Sequence, residues 1–181
     1  MFDDRDIKIA GNRPSDSIKR NNISALNEDI VSETHLAHAK LLGKEIAVEF
    51  SKASNAYSDA VEDADVDMFI QRILLLSFTV TITLENELIN EAVAGIVQKS
   101  FLDTVKKDFK GIYKYTSDTG AFTFYYLAYR RGGEIERRMG QTFAMLCSHD
   151  GDPIYQELGE VLYCWFSSVI KSAAQKHSLL K

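Results

Sequence analysis

From Leu36 onward, apolar and small residues recur at steps of three or four: Leu36, Ala39, Gly43, Ile46, Phe50, Ala53, Tyr57, Ala60 and Ala64. That is the period of one helix face, and it predicts a long amphipathic helix. The alanine-rich stripe admits a close neighbour, as a bundle seam does, while Lys40, Lys44, Glu45, Glu49, Lys52 and Asp59 take the other side. The acidic run Glu62-Asp63-Ala64-Asp65-Val66-Asp67 then ends this helix and opens the next, because carboxylates are favoured in a first turn.

The second helix is expected from about residue 66 into the nineties, against one conflicting signal. Phe78, Val80, Ile82 and Leu84 alternate with Thr79, Thr81 and Thr83, the period-two pattern of a half-buried strand. Helical flanks and the lack of Gly or Pro between Met68 and Ala94 favour helix. The threonine hydroxyls are then expected to bond back to the preceding turn or to a partner. An unbroken helix to Phe109 would span roughly 65 Å, so an interruption is required; Gly95 and the capping pattern Ser100-x-x-Asp103 are its expected place.

Residues Phe122 to Tyr129 read as a further helix after a turn at Ser117-Asp118-Thr119-Gly120, with a hairpin over 112–126 as the alternative. Gly132-Gly133 closes that element, and Ile135, Met139, Phe143 and Leu146 space out another helix. Asp152-Pro153 marks the start of the last helix, an N-cap followed by proline at the first helical position. This helix has two apolar faces. Ile154, Leu158, Val161, Trp165 and Val169 form the first, and Tyr155, Leu162, Phe166 and Ile170 the second. The first face is expected in the core around Trp165, and the second is the candidate interface unless the helix is central enough to bury both.

The sequence therefore predicts an all-α bundle of about five to seven helices over 32–181, preceded by a polar, Asn-rich N-terminal arm over 1–31. An α+β fold with a hairpin at 112–126 is the lesser alternative. The length of 181 residues and a 45% hydrophobic share suit a single domain with a real core. Cys147 and Cys164 lie in apolar helical segments, as free thiols of a reducing, cytoplasmic compartment would. The start Met1-Phe2-Asp3-Asp4-Arg5-Asp6 lacks the basic and apolar stretches of a secretory signal. The most apolar window, Ile73–Leu84, is shorter than the about 20 residues of a membrane span, so no membrane contact is expected.

Charge divides the chain. Ten carboxylates between Glu45 and Glu91 face only Lys52 and Arg72, whereas nine basic residues outnumber five acidic ones between Lys99 and Arg138. The basic segment 99–138 also carries Tyr113, Tyr115, Phe122, Phe124, Tyr125, Tyr126 and Tyr129. Tyr125, Tyr126, Tyr129, Arg130 and Arg131 are accordingly the candidate binding residues for a phosphorylated ligand or single-stranded nucleic acid. The net charge of −5 makes nucleic acid the less favoured partner. A charge dipole serves protein partners equally well.

Two short motifs touch known chemistry. Asp118-Thr119-Gly120-Ala121 is similar to the aspartic-protease signature over four residues. That family is all-β, with an apolar strand before the motif where this chain has Lys114-Tyr115-Thr116-Ser117, so a polar turn accounts for these residues. His149-Asp150 resembles the paired ligands of the HD-type metal phosphohydrolases, an all-helical family, and the resemblance implies a divalent metal activating water for attack on phosphate. His35, His38 and His177 are the other histidines available, and the Gly151-Asp152-Pro153 turn departs from the family's pattern. The plainer reading places His149 at a helix C-terminus and Asp150 in the turn. No Glu-x-x-His pair, phosphate loop or nucleophile elbow occurs. The sequence thus predicts no metal and no cofactor, and a non-catalytic helical interaction or regulatory module that binds a protein partner or itself.

Overall fold

The computed structural model describes residues 32–55, 66–116 and 119–181, in which seven helices and no strand occur. They are α1 (Glu33–Asn55), α2 (Val66–Glu87), α3 (Glu91–Asp108), the single turn α4 (Lys110–Tyr113), α5 (Thr119–Arg130), α6 (Ile135–Leu146) and α7 (Pro153–Lys176). The arm over 1–31, the stripe's end at Tyr57, Ala60 and Ala64, and Asp118 of the protease-like motif lie outside the described residues.

The threonine alternation is helical. Thr79 donates its hydroxyl to the Leu75 carbonyl at 2.8 Å, Thr81 donates to that of Ser77 at 3.3 Å, and Thr83 meets the Ser167 hydroxyl of α7 at 3.2 Å. Burial on nearly every side of Ile73–Val80 explains the strand-like pattern: a helix enclosed by neighbours needs apolar or internally bonded residues at every position. By length and composition α2 could cross a membrane, and two-thirds of its apolar window is buried inside the bundle.

The interruption falls earlier than expected, at Leu88–Asn90. Gly95 and Ser100 lie inside α3. The Asn90 side chain accepts from the Val93 amide at 2.8 Å, and Leu88 bridges to Leu180 while the Ile89 amide donates to the Leu179 carbonyl at 3.0 Å. The chain end therefore supplies hydrogen bonds that the break leaves open. Ser100 does not cap; its hydroxyl donates to the Lys40 carbonyl across the α1–α3 contact at 2.8 Å. Asn90→Ala is expected to cost about 1 kcal/mol in chemical denaturation, with Ser100→Ala leaving the α3 start intact.

No hairpin forms at 112–126 among the described residues; α4 and α5 occupy that stretch. Gly132 and Gly133 follow α5 at φ of 65° and 76°, the left-handed region in which glycine stops a helix without strain. Asp152 caps α7 as the sequence indicates, accepting from the Ile154 amide at 2.8 Å.

Two close approaches set the packing. A Cβ on Gly43 would lie 2.6 Å from both Ser100 Cβ and the Val97 carbonyl oxygen, so α1 and α3 touch backbone to backbone. In the α6–α7 hairpin, Gly140 abuts the Gln156 carbonyl and Gly159 abuts Phe143. Between these pairs, α2 and α7 run in the same direction, tied by Thr83–Ser167 and by the Glu87–Lys171 ion pair at 2.9 Å. The core continues through Leu74, Leu75, Phe78, Tyr125, Met139, Phe143 and Leu162.

Candidate functional site

Burial sorts the aromatic-basic candidates. Tyr125 is fully enclosed, stacked on Phe78 at 5.5 Å between ring centroids, and is a core residue unavailable to ligand. Tyr129 is half-buried, and its hydroxyl accepts from the Asn86 amide group at 2.7 Å. Tyr126, Arg130 and Arg131 face outward, with the Arg130 guanidinium 5.8 Å from the centre of the Tyr126 ring. The helical period separates neighbours in sequence by about 100°, which is why Tyr125 and Tyr126 part company. Arg131 reaches a hollow of about 290 Å³ shared with Arg138, Gln141, Thr142, Gln156 and Asp150.

The enclosed phenols have a pH consequence. Burial pushes the Tyr125 hydroxyl well above its usual range and that of Tyr163 up to about 12. The neutral phenol is the form the fold accommodates. Since the unfolded chain ionises near 10 and the folded one higher, stability is full below about pH 10 and falls as pH rises toward 12. Denaturation titrations at pH 8, 9.5 and 10.5 should show that loss, and Tyr163→Phe should reduce it.

The histidines do not gather into one site: the His38 and His177 rings lie 5.9 Å apart, while His149 packs on Tyr155. His38 Nδ1 lies 3.0 Å from the His177 carbonyl oxygen, and His177 Nε2 lies 3.0 Å from Glu45. Hydrogen bonds from Lys176 chiefly, and His177, hold the Glu45 carboxyl below its usual range against a smaller opposing effect of burial. His149 stacks on Tyr155 at 3.8 Å and 11°, after α6 has ended at Leu146, and Asp150 sits in the following turn. Among the described residues, no three His, Cys, Asp or Glu side chains gather to hold a metal ion.

A surface depression of about 720 Å³ lies along the α1–α3 contact. Lys40, Lys44, Lys99 and Lys107 rim it with Asp103 and Asp108, over Leu36, Val48 and Ile96. A local lysine excess in a chain of net charge −5 gives this valley a sign opposite to the whole molecule.

The two faces of α7 are exchanged relative to the sequence expectation. Leu162, Phe166 and Ile170 are buried within the bundle and Tyr155 is half-buried, so this face is core and is not available as an interface. Phe166 meets Phe50 at 6.3 Å. The face expected inside is the open one: Ile154 is 73% exposed, Val161 55% and Trp165 45%, with Leu158 and Val169 half-buried beside them. The physical cause is Gly159. It shares the Leu162–Phe166 side and lets α6 approach so closely that this side, rather than the tryptophan side, turns inward. A helix-borne glycine beside one of two apolar faces was the sequence signal for which face is packed.

Comparison with known proteins adds no further constraint, since no sequence family, curated protein or solved structure matches this chain.

Proposed function

We propose that this chain is a non-catalytic helical interaction module that binds a protein helix, its own or a partner's, through the outer face of α7. The observation that carries this reading is the row Ile154, Leu158, Val161 and Trp165. These residues follow at steps of four, three and four, the spacing of a coiled-coil seam, and three of the four are exposed. Single exposed apolar residues need no explanation, but a contiguous row does, because leaving it in water forgoes about 25 cal/mol for each Å² that a partner would cover.

The test is a photoreactive benzophenone amino acid placed at position 161 of the full chain in living cells. A discrete cross-linked product, identified by mass spectrometry as a second copy or as one protein joined through an apolar helix, supports the reading. It must vanish when the probe moves to exposed Lys106 on α3. No discrete product, or the same product from both positions, overturns it.

A second reading, an anion binder, draws on the hollow where Arg131 and Arg138 face Gln141, Thr142 and Gln156. Calorimetry with inorganic phosphate checks it: saturable binding lost in Arg138→Gln supports this use, and its absence removes it.

A further inference from the structure

We infer that the occupant of the α7 face is the α7 of a second copy, laid antiparallel across a twofold axis at Cys164. The inference rests on the preceding reading and specifies both partner and geometry. Seam, charge and shape bear on that arrangement.

The seam comes first: Ile154, Leu158, Val161 and Trp165 continue as Ser168 and Ser172, again at steps of three and four, so one row runs the length of the helix. In an antiparallel pair the row of the second copy runs in reverse, so Ile154 falls opposite Ser172, Leu158 opposite Ser168 and Val161 opposite Trp165. The apolar first half then covers the small-residue second half, and two long apolar halves do not collide.

Charge comes second. Glu157 precedes Cys164 by seven residues and Lys171 follows it by seven, both exposed on the same edge of the seam. In an antiparallel pair, same-edge positions face each other. Glu157 of each copy therefore meets Lys171 of the other, twice by symmetry, and Lys171 also keeps its own Glu87 at 2.9 Å. In a parallel pair opposite edges of the seam face each other instead, so Glu157 and Lys171 would not meet.

Shape comes third. Ile154, the most exposed large apolar side chain among the described residues, is a knob ten residues before Cys164. Beyond Cys164 lies a hollow of about 340 Å³ between α1 and α7, with Trp165, Val169, Ser172, Ala173 and Lys176 in its wall. In the antiparallel pair the knob of each copy falls level with the Ser172–Lys176 end of the other's α7. An isologous arrangement of this kind closes at two copies and leaves no free end for further growth.

Sedimentation of the full chain from low to high micromolar concentration is the test. Wild type is expected to shift from 20.4 kDa toward twice that mass. Val161→Glu, at an exposed position that the fold tolerates, is expected to stay monomeric with an unchanged helical spectrum. Glu157→Lys and Lys171→Glu are each expected to weaken dimerisation about 10-fold, and the double exchange to restore it. A bismaleimide is expected to join copies through exposed Cys164 and to leave buried Cys147 unmodified. Monomeric wild type throughout, or single exchanges without effect, or no restoration in the double variant, overturns the antiparallel dimer. In the first of those cases, a cross-link from position 161 to a different protein still upholds the helix-binding reading, so the two failures are distinct.

Discussion

Phe166→Ala should lower the unfolding free energy by about 3–5 kcal/mol, whereas Trp165→Ala, one residue earlier, should cost about 1 kcal/mol. The larger side chain has the smaller effect because the two stand on different sides of α7. Phe166 has no exposed surface and meets Phe50 of α1 at 6.3 Å, and Phe50 in turn meets Phe101 of α3 edge-on at 5.3 Å. Removing its ring opens a cavity where α1, α3 and α7 converge, and close-packed neighbours refill such a space only in part. Trp165 keeps 45% of its surface in solvent and touches the Phe166 ring at 5.7 Å. Urea denaturation at low micromolar concentration, where self-association contributes least, is the measurement. Equal losses for the two variants would place both side chains in the core and remove the open face from α7.

Gly140→Ala should cost about 2–3 kcal/mol, the range of overpacking at a site without slack. Alanine ordinarily stabilises a helix interior by about 1 kcal/mol over glycine, so the sign alone is informative. At Gly140 the added methyl would overlap the Gln156 carbonyl oxygen, with the Glu160 amide nitrogen 3.1 Å away, and backbone of a facing helix cannot rotate aside as a side chain does. The α6–α7 hairpin must then open, and with it the contact of Gly159 against Phe143. Gly95→Ala is the matched control. It lies in α3 with nothing within 4 Å of the new atom and should stabilise by about 0.5–1 kcal/mol. Midpoints of urea unfolding for the two variants should move in opposite directions.

The helical character of every element except the single turn α4 was legible in the sequence because it follows from short-range pattern. The period of Leu36 to Ala53 gives α1, Asp152-Pro153 starts α7 where expected, and Gly132-Gly133 follows α5 in a conformation that glycine alone enters freely. Even Phe78 to Leu84, where alternation favoured a strand, was decided correctly by the helical flanks and by hydroxyls able to bond four residues back. The site was less legible. Segment 99–138 showed that aromatics and cations share a region, but adjacent residues point to different sides of a helix, and only packing made Tyr125 core and Tyr126 surface.

By itself, then, the sequence determined the class of fold, where α6 and α7 begin and the possession of two apolar faces by α7, all of which rest on interactions within about four residues. Tertiary structure alone decided where the second helix breaks and which face of α7 is covered. Leu88 stops α2 with a partner, Leu180, that lies 92 positions away, and the inward side of α7 is chosen by the meeting of Gly140 with Gln156 and Gly159 with Phe143. Hydrophobic attraction has no direction and would reward burial of either face; the close fit of backbone to backbone is what selects one.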